Sequence, residues 1–366
     1  MKNVVISDFH EISRIWKYYL ENKSDEYNVI AYVTKRDHPP QMLDGIPVLN
    51  MAQYASFYKQ GLIDEFVLPQ ERYTGWSKII EELISLGVQR KDIYIVGRAE
   101  EGNIKSKMPY DSAKYLPYLE FHAADHCNLN CRACEHFSGL VEKPIFHSAE
   151  GIIRDLYQLS QFIEDIGVIR ILGGEPLLNP EICEIMSATR KVYAYSEIYI
   201  VTNGVILDRM PEMFFETCTE HQIKIWISYY PPMIKKIDHL KAILEKHEID
   251  YSFSGLNMTF RKKYTLEPHS EKGKSFENCF QASCHNLYEG KIGVCFLPFV
   301  QKYFNQRYNY DIPCDGALDL YETGLTTEKL KRFLLTPFER CRYCKEGTVD
   351  ERWMTMQGVI SDWIVL

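Results

Sequence analysis

Three cysteines stand within eight residues of one another in His126-Cys127-Asn128-Leu129-Asn130-Cys131-Arg132-Ala133-Cys134, spaced C-x3-C-x2-C. Thiolates are soft ligands that suit zinc and iron–sulfur clusters. Three on one loop can hold three corners of a cubane and leave the fourth iron open, as a catalytic zinc keeps an open position. The alternative is a zinc loop completed by His126 or His136. The chain holds 11 cysteines, and an odd count argues against a disulfide framework. The first is Cys127 and the last six crowd between Cys279 and Cys344, so the cysteines mark ligation sites and leave an N-terminal module without any.

The 366 residues are enough for two or three domains, and a hydrophobic share of 46% with 25% charged residues is that of a globular protein. A net charge of −8 excludes a sequence-blind grip on nucleic acid, which needs clustered Lys and Arg. The start MKNVVISDFHEISR has no basic segment followed by an apolar one, and no apolar run approaches a membrane span of ~20 residues. The expected location is the cytoplasm, with neither nucleic acid nor membrane as a partner.

Residues 1–105 alternate strand and helix: KNVVIS, EISRIWKYYLEN, YNVIAYVTK, GIPVL, a helix near MAQYASFYKQG, EFVLP, WSKIIEELISLGV and DIYIVG. Alternation implies a parallel sheet. This order resembles the N-terminal Rossmann-like modules of sugar-modifying enzymes from surface-glycan pathways. The turn after the first strand departs from that pattern. It reads Ser7-Asp8-Phe9-His10-Glu11 and lacks G-x-G-x-x-G, so the backbone cannot approach a pyrophosphate and Asp8 would repel one. A docking or substrate-gripping module is expected here.

The segment EGNIKSKMPYDSAKYLP reads as a linker. A second alternation then fills residues 106–270. It begins with the strand YLEFHAAD, followed by the cysteine loop and a helix carrying Ile152, Leu156, Leu159, Ile163 and Ile166 at helical spacing. Gly173-Gly174-Glu175-Pro176 follows the strand VIRIL, Thr202-Asn203-Gly204 ends the next, and Ser228 lies on the one after. Ligands of parallel β/α folds bind at the carboxyl ends of strands, so these features should converge on one site.

In this order and spacing the residues from about 117 to 255 resemble the radical S-adenosylmethionine (SAM) superfamily. The resemblance implies a partial (β/α)6 barrel. It implies a 4Fe–4S cluster on Cys127, Cys131 and Cys134, and SAM bound to the open iron. Glu175 and the Gly173–Pro176 backbone would hold the SAM ammonium, with Thr202, Asn203 and Ser228 helping to place its ribose or carboxylate. Cleavage of SAM would yield a 5′-deoxyadenosyl radical that abstracts hydrogen. The reductant would be a protein such as flavodoxin or ferredoxin. One departure is Ala133, where the family usually has an aromatic residue near the adenine.

Residues 271–366 form a small Cys-rich extension. Cys279, Gly290 and Cys295 are spaced C-x10-G-x4-C, and a glycine turn there would fold a hairpin that brings the two thiols together. Cys341 and Cys344 add C-x2-C. The pattern resembles the twitch extension of radical SAM enzymes, a short relative of SPASM, and implies one auxiliary 4Fe–4S cluster on Cys279, Cys295, Cys341 and Cys344. Cys284 rivals Cys279, Cys314 is left over, and a structural zinc on the same thiols is the alternative. Cys183 and Cys218 read as buried helix residues.

A closed auxiliary cluster can accept an electron. This favours oxidation of a hydroxyl. The N-terminal module and the stretch HCNLNCRACEHFS resemble those of radical SAM proteins from glycan-assembly clusters, and that resemblance implies a sugar or polyol substrate, either free or nucleotide-activated. Dehydration of a vicinal diol and modification of a peptide are the alternatives within the superfamily, and a non-catalytic zinc adaptor lies outside it. Arg261, Lys262 and Lys263 could meet a phosphate or form a solvated charge run. Arg170, Tyr229, His122 and His126 are the candidate bases for the hydroxyl proton.

Overall fold

In the computed structural model the β-branched runs of the N-terminal part become strands, and its amphipathic stretches become helices. The described residues are 1–9, 11–23, 25–69, 76–96, 99–100, 103–104, 107–109, 114–277 and 279–365. In order come β1 (Lys2–Ser7), α1 (Glu11–Lys23), β2 (Tyr27–Thr34), β3 (Met42–Leu43), β4 (Ile46–Asn50), α2 (Met51–Lys59), β5 (Glu65–Leu68), α3 (Trp76–Ser85), β6 (Ile93–Val96), β7 (Ala99–Glu100), β8 (Asn103–Ile104) and β9 (Lys107–Pro109). The sheet order is β3-β4-β2-β1-β5-β6-β9. Its five central strands are parallel, and β3 and β9 add antiparallel edges. This is the doubly wound order in which later strands fall on both sides of β1. Val4, Ile6, Trp16, Leu20, Val29, Tyr32, Val48 and Val67 make one of its buried clusters. Asn50 caps α2: its Oδ1 accepts from Gln53 N at 2.9 Å, and Gln53 Oε1 accepts from Asn50 N at 2.9 Å.

After β1 the chain turns at Asp8, whose φ of 54° is left-handed. Asp8 N donates to Val33 O at 2.7 Å, and its carboxylate pairs with Arg36 at 3.0 Å. His10 of this turn lies outside the described residues. The segment read as a linker contains β9, a short strand with Pro109 at its end, as edge strands allow.

The second unit spans Tyr118–Thr326 and Phe333–Leu366; the first is Met1–Pro117 with Thr327–Arg332. The elements that follow are β10 (Tyr115–Ala124), α4 (Ala149–Ser160), β11 (Asp165–Gly173), α5 (Ile182–Val192), β12 (Glu197–Thr202), α6 (Glu212–Glu220), β13 (Lys224–Ile227), α7 (Ile237–Lys246), β14 (Tyr251–Phe253), β15 (Thr259–Tyr264), α8 (Lys272–Glu277), β16 (Asn286–Tyr288), β17 (Lys291–Gly293), α9 (Leu297–Tyr308), β18 (Ala317–Asp319), α10 (Thr327–Leu334) and β19 (Cys344–Arg352). The main sheet runs β14-β13-β12-β11-β10-β16-β17-β18. β11 to β14 pair in parallel in sequence order, and β10 is parallel to β16.

The strand after β14 does not extend that edge. β15 instead pairs antiparallel with β19 in a separate ribbon, and the next parallel strand, β16, joins the far side of β10. The Cys-rich segment therefore grows out of the barrel sheet. β16 and β17 form a hairpin whose turn residues, Glu289 and Gly290, have φ of 46° and 78°, the signature of a two-residue turn with both centres left-handed. Gly290 N donates to Asp155 on α4 at 2.6 Å, which ties the hairpin to the barrel.

Helix α4 starts at Ser148, whose Oγ accepts from Gly151 N, and it buries Ile152, Leu156 and Leu159. It ends at Ser160, short of the helical run read from the sequence. Ile163 and Ile166 are buried, but Ile166 belongs to β11, where the β-branched run Ile166-Val168-Ile169-Ile171 favours a strand.

Candidate functional site

Cavity walls are built from the carboxyl ends of β11, β12 and β13 together with the cysteine loop after β10. A cavity of about 1180 Å³ opens there. Cys127, Cys131, Cys134, Gly173, Gly174, Thr202, Asn203 and Ser228 all line it.

Two glycines let the turn after β11 press against the root of the cysteine loop. Gly174 N donates to Ala124 O at 2.7 Å, and Glu175 N donates to His126 O at 3.0 Å. A Cβ on Gly173 would lie 2.1 Å from Ala124 O, and one on Gly174 would lie 2.1 Å from His126 O. No other residue type fits.

Glu175 is wholly buried and does not reach the cavity wall. Its carboxylate accepts from Thr202 Oγ1 at 2.6 Å, Asn203 N at 2.9 Å and Leu177 N at 3.2 Å. Burial pushes its pKa up to about 7, against the pull of those three donors. Its geometry is that of a brace between the ends of β11 and β12. Pro176 is buried in the 3-10 turn that follows. Asn203 Nδ2 donates to Asn128 Oδ1 at 2.7 Å and approaches Cys127 Sγ at 3.5 Å, so the end of β12 also steadies the cysteine loop. Ser228 N donates to Thr202 O at 2.8 Å. Ala133 is buried, with φ of 59°, and does not line the cavity, whereas Tyr230 and Phe260 do, stacked on each other at 5.4 Å.

The C-terminal segment returns to the loop. Arg132 N donates to Met354 O at 2.8 Å, Met356 N donates to Asn130 O at 2.8 Å, and Cys131 bridges to Thr355. The bend beyond it is held by buried Asp362, whose Oδ2 accepts from the backbone of Gln357, Gly358 and Val359 at 2.8, 2.7 and 3.1 Å. Asp362→Ala orphans three donors. At about 1 kcal/mol each the loss is roughly 3 kcal/mol, which is expected to lower the midpoint of thermal unfolding by roughly 6–12 °C. Differential scanning calorimetry checks this, and an unchanged midpoint contradicts the clamp.

Burial drives the thiol of Cys127 well above its ordinary range, raises that of Cys134, and pushes that of Cys131 up to about 12. Thiolates form here only where a cation compensates them. Two buried donors are aimed at the thiols, Trp353 Nε1 at Cys131 and Ser138 Oγ at Cys134, and neither has another hydrogen-bond partner. Sulfur atoms of a cluster would accept such donors, so the residues present fit an iron–sulfur group.

A second, apolar cavity is lined by Cys279, Cys295, Cys341 and Cys344 between Phe276, Ala282, Val294, Leu297 and Phe338. Cys284 does not line it; its neighbours include Glu120 and Arg170. Cys314 is exposed. Arg340 Nη1 donates to Cys344 Sγ at 3.6 Å, and Lys263 lies near Cys279 and Cys344, so cations face the thiols. Among the described residues no three His, Cys, Asp or Glu side chains converge closely enough to hold a single ion.

None of the four candidate bases lines the large cavity. His122 Nδ1 lies 2.7 Å from Asp125 Oδ1, His126 Nδ1 meets Ile145 O, and Arg170 stacks between Tyr118 and Trp226. Tyr229 N donates to Ser254 Oγ. The bases on the wall are Glu135 and His136. Burial, with His122 beside it, pushes the His136 pKa down to about 3, so its imidazole is neutral. The signal for both was their position directly after Cys134.

Residues 123–225 match the family model described as the radical SAM superfamily. The chain carries a radical SAM domain. Over 98 residues it is 34% identical to a GTP 3′,8-cyclase of Clostridium acetobutylicum, covering 26% of this chain and 30% of that one. Over 105 residues it is 34% identical to a GTP 3′,8-cyclase of Lactiplantibacillus plantarum, covering 28% and 31%. The chain thus spans less than a third of the length of these relatives. Among solved structures, BtrN in complex with AdoMet and 2-DOIA is 16% identical with a TM-score of 0.41, covering 63% of this chain and 92% of that one. A radical SAM domain brings with it a 4Fe–4S cluster and SAM. Among the described residues, no helix is long and apolar enough to cross a membrane.

Proposed function

We propose that this radical SAM enzyme oxidises a hydroxyl-bearing carbon of a sugar or polyol to a carbonyl, in the cytoplasm, with flavodoxin or ferredoxin as reductant. Cys127, Cys131 and Cys134 hold the cluster that binds SAM, and Cys279, Cys295, Cys341 and Cys344 hold an auxiliary 4Fe–4S cluster. When bound, these groups supply a 5′-deoxyadenosyl radical and an acceptor for one electron. Gly173 and Gly174 hold their turn against the loop so that its backbone borders SAM, and Thr202, Asn203 and Ser228 offer further polar atoms to it. Glu135, a carboxylate on the cavity wall, takes the hydroxyl proton. The balance closes: the substrate loses a hydrogen atom to the radical, a proton to the protein and an electron to the auxiliary site.

The observation that carries the reading is that the four-thiol cavity and the large cavity share Ser275, Cys279, Gln281 and Cys344 as wall residues. An electron acceptor there would border the substrate. The test is anaerobic turnover of reduced protein with SAM and a panel of sugars and polyols, read by mass spectrometry. Loss of two hydrogens from a panel member, with 5′-deoxyadenosine formed, supports oxidation. Loss of water would replace it with dehydration, and stoichiometric zinc in place of iron would remove the enzyme reading altogether.

A further inference from the structure

Resting on that reading of the cavity, we infer that the substrate carries a phosphate or diphosphate group, held by Arg261 and Lys345. The cavity's volume of about 1180 Å³ exceeds the roughly 300–1,000 Å³ of a pocket for one small ligand. There is room for SAM and for a second molecule of some size. One wall of the cavity comes from the ribbon of β15 and β19, which contributes Thr259, Phe260, Arg261, Lys263, Lys345 and Thr348.

The charges on this ribbon are unevenly matched. Lys263 pairs with Glu135 at 3.1 Å and donates to Gln281, whose Nε2 donates to Glu135 at 2.6 Å. Lys262 pairs with Glu351 at 2.5 Å and donates to Ser361 O, and it does not line the cavity. Arg261 and Lys345 line the cavity and, among the described residues, neither has an ion-pair partner. Asp350 stands opposite Arg261 in the ribbon register without forming an ion pair with it.

An acidic chain of net charge −8 thus keeps, among its described residues, two cations without ion-pair partners on one wall of this cavity. Such a wall focuses a positive potential into the cleft and selects an anion. Arg offers a planar fork and Lys a point charge, the pair of donors that recognises phosphate oxygens. Beside them Leu256, Met258 and Phe280 line the cavity, exposed by 42%, 42% and 64%, so an apolar group attached to the phosphate has a surface to lie on.

The experiment is calorimetric titration of the full-length, anaerobically reconstituted protein in the presence of SAM. The probes are UDP, glucose 1-phosphate, pyrophosphate and, as an uncharged control, uridine. At least one phosphorylated probe is expected to bind, and uridine is not. The double variant Arg261→Ala/Lys345→Ala is expected to weaken that binding about tenfold or more, whereas Arg261→Lys/Lys345→Arg retains most of it. Tighter binding of UDP points to a nucleotide-linked substrate, and tighter binding of glucose 1-phosphate to a phosphorylated sugar. Wild-type protein that binds none of the phosphorylated probes overturns the inference, as does a double variant that binds them equally well. Iron content and 5′-deoxyadenosine yield, measured on the same wild-type samples, keep the two readings apart. Radical chemistry without phosphate binding sinks only this inference.

Discussion

Gly174→Ala is expected to cut 5′-deoxyadenosine formation by at least about a hundredfold while leaving the first unit folded. The added Cβ would meet His126 O at 2.1 Å, His126 C at 2.4 Å and Asp125 O at 2.6 Å. All three are backbone atoms, and no rotamer change relieves the contact. The two chains must separate, which breaks the hydrogen bonds Gly174 N to Ala124 O and Glu175 N to His126 O. Cys127 directly follows His126, so the movement is delivered to the first thiol. Overpacking at a rigid site costs about 1–3 kcal/mol or more, and each ~1.4 kcal/mol of misplacement in the transition state is a factor of ten in rate. Gly255→Ala is the control, because nothing lies within 4 Å of the Cβ it would add. Activity of Gly174→Ala within a few-fold of the control would show that the turn does not position the loop.

Replacing Cys341 and Cys344 together by Ala is expected to lower the iron content from about eight to about four atoms per chain. SAM cleavage should persist, because Cys127, Cys131 and Cys134 sit on a different loop. Formation of the carbonyl product should fall to background. Iron and sulfide analysis with the visible spectrum checks the first part, and product analysis the second. The same change opens the apolar cavity lined by Phe276, Val294, Leu297 and Phe338, so a modest loss of thermal stability accompanies it. Iron that stays unchanged would remove the auxiliary cluster.

The two strand–helix alternations were legible because their signals are local. Each parallel strand is a short apolar run ended by glycine or a polar residue, and GGEP, TNG and Ser228 sit where such runs stop. The site features converge because a parallel sheet brings all its carboxyl ends to one edge. Features that depend on distant pairing left no local trace. No pattern announces that residues 354–356 return to the cysteine loop, or that β16 joins β10 and not β14. The brace made by Glu175 was hidden for a related reason. A carboxylate in a ligand-binding turn reads as a ligand, and only its three donors and complete burial reveal where it points. His136 was weighed as a zinc ligand; its place on the cavity wall follows from the left-handed turn at Phe137, φ 53°, and its stacking on Phe296 at 4.1 Å. The helix after Ser148 was read too long because i, i+3, i+4 spacing continued by chance into β11.

The most direct test of the central claim is the yield of 5′-deoxyadenosine and methionine from SAM. It uses reduced, anaerobically reconstituted protein, with the variant in which Cys127, Cys131 and Cys134 are all replaced by Ala measured beside it. Radical SAM chemistry on this loop predicts equal amounts of both products from the natural chain and none from the variant. Equal yields from the two proteins, or no 5′-deoxyadenosine from the iron-loaded natural chain, would contradict it.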